Sequence, residues 1–553
     1  PGGDFTCYRP GGSSVVDYGL VTEEFLEYIK MFKVGDFDAS LSDHCPIMTY
    51  VQGKLNATDQ HREATVLDDC FRGYVWNEVS KKLFETEIQS VEIQKQIENM
   101  NELIELDVDI QDLVKTTVGI FHNIANKCLK IRRIGRKKRK NRKKWFDMDC
   151  SAKQREVRML SRKVQYCSTD KDRRHVLSKV YQSKKEYRAL LKKKRNDYRN
   201  NIMKKLEEMA NKYPKEYWNL VEKLKEEVIS KEKRTKIRIN DWVKYFEQLF
   251  KETQNEANRS NVEEVTGKLP ELEKGTIFNE LDYKIRLDEV QKAINKLKNN
   301  KSPGCDYILS EMIKCGKDIW APVLCKLFNK ILVSGEYPNA WKIGFLSPIY
   351  KKGDAGNPSN YRGIAINSHL GKVYNNILLN RLETFITEKK ALDETQIGFR
   401  KKSRTSDHLF VIRTLFDKFC TKGKSLYLAF IDLRKAYDTV WRDGLLYKLL
   451  KIYGVGSLFY KQIKSMYSEV KFRVKQNGEL SKEFSSLVGV KQGDALSPLL
   501  FNLYTNDINR IFDDECHGVE LDKKVLNMLA FADDLVLISE TKQGLQRSLD
   551  KLH

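Results

Sequence analysis

At 553 residues the chain is long enough for several domains, each with a full hydrophobic core. Its 99 Lys and Arg against 76 Asp and Glu leave a formal charge of +23, which calls for a polyanionic partner, nucleic acid first, because each phosphate neutralised releases a counterion. The basic residues are spread along the chain rather than gathered on one amphipathic anchor, which disfavours an acidic membrane surface, and eleven cysteines with no Cys-x-x-Cys pair argue against a zinc site or a disulfide framework. With neither a signal peptide nor an apolar run near the roughly 20 residues of a bilayer span, the expectation is an intracellular protein of nucleus or cytoplasm, neither secreted nor in a membrane.

In chain order, Val15–Leu20 and Pro46–Val51 are strand-like runs punctuated by Gly and Ser, and residues 1–52 are too few for a domain of their own. Residues 53–280 turn polar and helix-favouring, dense in Glu, Lys, Leu and Arg over Lys81–Ile120 and Lys143–Ile229. Within them Arg136, Lys137, Lys138, Arg139, Lys140, Arg142, Lys143 and Lys144 form a basic block broken only by Asn141. It reads as a nucleic-acid contact, a nuclear-localisation signal or a solvated charge run. Trp145, Phe146, Tyr181, Tyr187 and Tyr198 lie among the charges, as stacking surfaces or as the helices' packed face. Lys144–Cys150 reads as a helix start, and residues 251–280 as a linker.

From 281 to 553, helices Leu287–Leu297 and Leu370–Ile386 alternate with strands Phe345–Tyr350, Leu426–Leu433, Val470–Val474, Phe484–Val490 and Val525–Phe531, an α+β pattern. Asp432 ends an apolar strand. Gly489–Leu499 passes through a glycine turn into a helix, with Ser497 near its N-cap and Pro498 at its first position. Asp533 and Asp534 sit between two apolar runs, at the tip of a hairpin expected to be buried. Adjacent buried like charges are costly without a cation. Mg²⁺, a hard ion with a preference for oxygen, resolves the conflict, and two ions about 3.5–4 Å apart would serve nucleotidyl transfer.

These segments resemble the reverse transcriptases of non-LTR (LINE-like) retrotransposons. Phe430–Val440 is similar to their motif A, Gln492–Pro498 to motif B and Phe531–Asp534 to motif C; Lys301–Asp306, Asn360–Ile364 and Gln396–Arg400 are similar to segments upstream. The resemblance implies a right-hand polymerase of fingers and palm with an antiparallel palm sheet, acting on an RNA template, a DNA primer or target and dNTPs. It also implies that Asp432, Asp533 and Asp534, with the Leu433 carbonyl, hold two Mg²⁺ ions (or Mn²⁺). Tyr437 would gate the sugar sterically, Gln492 and Gly493 would line the nucleotide pocket, and Arg400 and Arg362 would meet the triphosphate.

Ser13–Tyr18 and Ser42–Ile47 resemble the last strands of the α/β-sandwich endonuclease that precedes such polymerases, which implies that His44 meets a phosphate, Asp17 orients His44 and Asp43 lies near a metal. The chain is therefore expected to be a fragment truncated at both ends: an endonuclease remnant over 1–52, a basic helical linker over 53–280, and fingers and palm over 281–553 without a thumb. Such a fragment would polymerise poorly or not at all. The alternative is a non-catalytic nucleic-acid-binding remnant of a transposable element. A third reading, an RNA-dependent RNA polymerase, is disfavoured by Tyr437, where a ribonucleotide enzyme wants a polar side chain.

Overall fold

In the computed structural model the described residues are 7–9, 12–16, 21, 23–35, 44–45, 47–51, 72–106, 108–133, 145–167, 169–210, 217–218, 220–221, 237–251, 259–275, 277–476, 478–521 and 524–553. They fall into two compact units, one drawn from 1–68 and 135–234, the other from 69–134 and 235–553.

The first unit holds two small antiparallel ladders. Cys7–Arg9 pairs with Gly12–Ser14, and Ile29–Val34 pairs with Ile47–Val51. Val15 and Val16 of the expected first strand lie outside any strand, and residues 17–20 fall outside the described set. Beyond them, the Asp147 carboxylate accepts from the Cys150 amide at 3.1 Å and caps the Met148–Lys163 helix, the helix start expected of Lys144–Cys150. Lys194, on the Asp170–Ala210 helix, ion-pairs with both Asp147 and Asp149. Burial of Val164, Leu177 and Val180 closes the turn between the two helices.

In the second unit, helices Glu78–Ile88, Val91–Glu105 and Ile110–Cys128 present apolar residues at three- and four-residue intervals, including Ile93, Ile97, Met100 and Ile104, and bury them. Those residues join one core with helices Lys317–Ser334 and His369–Glu388; Phe121 stacks on Trp320 with centroids 4.1 Å apart. The expected linker at 251–280 contains a helix, Arg259–Lys274, with Pro270 inside it. Glu273 from this helix accepts from Tyr460 at 2.8 Å and pairs with Lys464.

Two sheets follow. In the larger, Ile343–Tyr350 pairs antiparallel with Tyr361–Ile366 and parallel with Val470–Gln476, which carries Phe484–Ser486 and Glu479–Leu480 on its other side. The smaller sheet is antiparallel, in the order Met528–Phe531, Asp534–Ser539, Tyr427–Asp432. Leu415 and Phe419 of the Thr405–Thr421 helix cover one of its faces. Leu545, Leu549 and Leu552 of the Lys542–Leu552 helix cover the other. Two expected strands are shorter than read. Val525–Phe531 divides at Asn527, and the ladder of Phe484–Val490 stops at Ser486.

Candidate active site

The strand Tyr427–Asp432 and the strand Asp534–Ser539 run antiparallel in a register that sets Asp432 directly opposite Asp534. Phe531 pairs with Asp534, so Ala532 and Asp533 form a two-residue turn. The Leu433 amide then donates to the Asp533 carbonyl at 3.3 Å. Residues about a hundred apart in sequence thus meet at one end of one sheet. Apolar side chains bury the hairpin's strands, but its tip reaches the surface: Asp432 and Asp534 are exposed and Asp533 is half-buried. This corrects the expected burial. The two helices cover the sheet's faces and leave its carboxylate end open.

Desolvation raises the pKa of Asp534 above the ordinary carboxylate range, and the neighbouring charges of Asp533 and Asp432 push it the same way; Lys351 and Arg362 act against them. Among the described residues no three Asp, Glu, His or Cys side chains already stand as a closed cation site. Uncompensated carboxylates repel one another, and an all-oxygen set under like-charge strain fits a hard divalent ion. Of the two expected triphosphate ligands, Arg362 is exposed and close enough to act on Asp534, with Lys351, which sequence reasoning passed over, beside it. Arg400 instead turns inward, donating Nη1 to the Asp393 and Gln396 carbonyls at 3.0 and 3.1 Å.

Tyr437 follows the first acid by five residues. Its ring stacks on Phe501 (4.5 Å, 16°) and meets Phe399 edge-on, while its hydroxyl is buried without a hydrogen-bond partner among the described residues. Burial first, and the charge of Asp533 second, raise its pKa. Gln492 accepts through its carbonyl from the Ala365 amide at 2.7 Å. Gly493 has φ 114, and a Cβ there would lie 2.7 Å from the Ala365 carbonyl oxygen. Glycine is required at this place by the chain's own backbone.

The helix after Gly493 starts at Ser497, one residue earlier than read, with Pro498 in its second position. Its entrance is shaped by the buried Asp494, which accepts from the Leu496 amide (3.1 Å) and from Asn375 (2.8 Å) and Asn367 (3.2 Å). The Ser497 hydroxyl donates to the Lys491 carbonyl.

Two further residues hold this arrangement, and neither stood out as a site residue in the sequence. Gln396 is buried, and its side chain spans the hairpin turn. Oε1 accepts from the amides of Ala532 and Gly398, both at 2.9 Å, and Nε2 donates to the Ala532 carbonyl at 3.2 Å. Arg442 donates to four carbonyls, those of Tyr467, Ser486, Val488 and Gly489, and to the Ser486 hydroxyl, at 2.6–3.0 Å; burial lowers its pKa to about 10. Arg442→Met removes five donors and leaves buried carbonyls unpaired. It is expected to destabilise the second unit by at least about 3 kcal/mol, read as a lower thermal midpoint.

Of the expected endonuclease-like residues, His44 is half-buried and forms a bridge with Cys7; Asp17 and Asp43 lie outside the described residues, as does the whole Arg136–Lys144 block.

Residues 349–553 match the family model described as reverse transcriptase (RNA-dependent DNA polymerase). The chain is 30% identical over 281 residues to the probable RNA-directed DNA polymerase from transposon BS of Drosophila melanogaster, and 30% identical over 278 residues to that from the mobile element jockey of the same fly. Against the Pol polyprotein of its retrotransposable element R2DM the identity is 31% over 265 residues. Each comparison covers 48% of this chain but only 24–30% of the relative.

Proposed function

Since residues 349–553 belong to the reverse transcriptase family, we propose that this chain adds deoxynucleotides to a primer 3′-hydroxyl on an RNA template. The observation that carries the proposal is the strand register that opposes Asp432 to Asp534, with Asp533 at the corner between them. Asp432, Asp533 and Asp534, with the Leu433 carbonyl, would hold Mg²⁺, or Mn²⁺ in its place. Such ions, when bound, neutralise charge on the attacking hydroxyl and the leaving pyrophosphate. The protein's own part is positioning: Arg362 and Lys351 supply positive charge on the triphosphate side of the acids, and Gln492 and Gly493 shape the nucleotide pocket. No protein nucleophile is needed.

Tyr437, wedged against Phe501, fills the space beneath the sugar and would exclude a 2′-hydroxyl by bulk. Because its own hydroxyl has no partner among the described residues, Tyr437→Phe should leave selectivity and stability almost unchanged. Tyr437→Ala should raise ribonucleotide over deoxyribonucleotide incorporation by at least about tenfold, measured by competing single-nucleotide additions. Equal selectivity in the Ala variant would remove the gate.

The same reading takes residues 1–52 as an endonuclease-like segment and 53–280 as a connecting region, and gives the chain an RNA template and a DNA primer or target as partners. It is tested by RNA-templated addition of one dNTP to a primer. A chain that binds primer–template yet adds nothing with either Mg²⁺ or Mn²⁺ is the alternative, a nucleic-acid-binding remnant.

A further inference from the structure

The Asp170–Ala210 helix has 41 residues, about 60 Å at 1.5 Å per residue. Lys185, Arg188, Lys192, Arg195 and Arg199 recur on it at alternating intervals of three and four, which brings them onto one face about 21 Å long. All five are exposed, and none is in an ion pair among the described residues. Nearby cations are treated differently: Lys153 is neutralised by Glu156 and Glu186, and Lys194 by Asp147 and Asp149. The acids of this stretch, Glu186 and Asp197, fall on the far side of the helix at 100° per residue. A row of like charges at helical spacing weakens its own helix, and a polyanion relieves that repulsion.

The stripe is charge without stacking surface. Tyr187 and Tyr198 are half-buried and off the stripe, and Tyr181, in line with it one turn before Lys185, is half-buried against Val164, Leu177 and Val180, so unpaired bases have no exposed aromatic to lie on. A rigid straight row of cations suits a rigid row of phosphates. We propose that this stripe follows the phosphate backbone of a double-helical nucleic acid, without reading sequence, as a binding surface separate from the carboxylate site. It requires no catalysis, so this proposal and the polymerase reading fail independently.

The test is a salt series of binding titrations on the full chain, with a labelled short DNA duplex and a single-stranded RNA of equal length. One variant changes the five stripe cations to Gln. A control of equal net charge changes Lys163, Lys179, Lys193, Lys204 and Lys205, exposed cations off the stripe. On the duplex, the slope of log K against log salt should become shallower by about 0.9 for each phosphate no longer neutralised, about 4.5 in all, in the stripe variant and hardly at all in the control. Arg188→Gln with Arg195→Gln should give about half that change, and serves if the fivefold variant loses helix by circular dichroism. Equal weakening in stripe and control variants, an unchanged slope, or a loss confined to the single strand overturns the proposal.

Discussion

Asp533→Asn is expected to abolish nucleotide addition while nucleic-acid binding stays within about twofold. The substitution keeps the shape of the turn residue and removes one charge from a set of three carboxylates that the strand register brings together. Losing one preorganised electrostatic group in such a site costs at least about 10²–10³-fold in rate, and a hard divalent ion loses an anionic oxygen ligand. Binding of Mn²⁺, followed by electron paramagnetic resonance, should weaken in parallel, and that readout does not depend on turnover. The sign of the stability effect is less intuitive. Burial raises the Asp534 pKa most, and the charges of Asp533 and Asp432 push it the same way, so the three acids repel when no cation is present. Asp534 ionises at higher pH than a free Asp; the unfavourable interaction is present once its carboxylate is charged and fades as pH falls through its raised pKa. Neutralising Asp533 should therefore leave the metal-free protein equally or slightly more stable near neutral pH, and the gain should shrink on acidification. A variant that unfolds, or that binds Mn²⁺ like the parent chain, removes Asp533 from the metal site.

What could be read directly in the sequence was chemistry carried by short segments. The apolar strand ending in Asp432 and the Asp-Asp pair between two apolar runs announce themselves because strand burial and charge alternate over a few residues. Their pairing, Asp432 against Asp534, is a long-range register that local pattern does not encode. The expectation that the tip is buried failed for the same reason, since apolar flanks say which residues are covered without saying where the covering helices stop. The polar run opening at Lys251–Asn255 suggested a linker over 251–280, whereas the structure has a helix there whose Glu273 is tied to Tyr460 and Lys464 about 190 residues on. Arg442 read as one more cation in a basic chain, and Arg400 as a ligand of the triphosphate. Their hydrogen bonds to backbone carbonyls become visible only once the loops they close have been built. Gly493 was legible as a place needing glycine, but what approaches it is the Ala365 carbonyl of the same chain.

Gln396→Leu is the second large effect, and the one that separates positioning from binding. Ala532, next to Asp533, is held at φ 58, a left-handed conformation that L-residues adopt only when their surroundings enforce it. The enforcing hydrogen bonds are visible. The Gln396 side chain bonds both the amide and the carbonyl of Ala532, and the backbone around it adds Ile397 amide to Ala530 carbonyl (3.0 Å) and Ala530 amide to Thr395 carbonyl (2.9 Å). Leu has nearly the same volume and none of these bonds, so two buried amides and a carbonyl lose a partner, at about 1–3 kcal/mol for each group left unsatisfied. The turn can then relax toward an ordinary backbone, and the Asp533 and Asp534 carboxylates move with it. A shift of about 1 Å in such groups costs about 10²-fold in rate. Gln396 is buried beneath the turn, so the loss should fall on kcat, with the KM for dNTP within about twofold, and the Mg²⁺ concentration for half-maximal rate should rise. A rise in KM with unchanged metal dependence would make Gln396 a nucleotide ligand. A destabilised protein with unaltered kcat and metal dependence would reduce it to ordinary packing. Only the predicted split, in which metal response and turnover change while substrate affinity does not, identifies the amide as the clamp that keeps the hairpin's carboxylates facing Asp432.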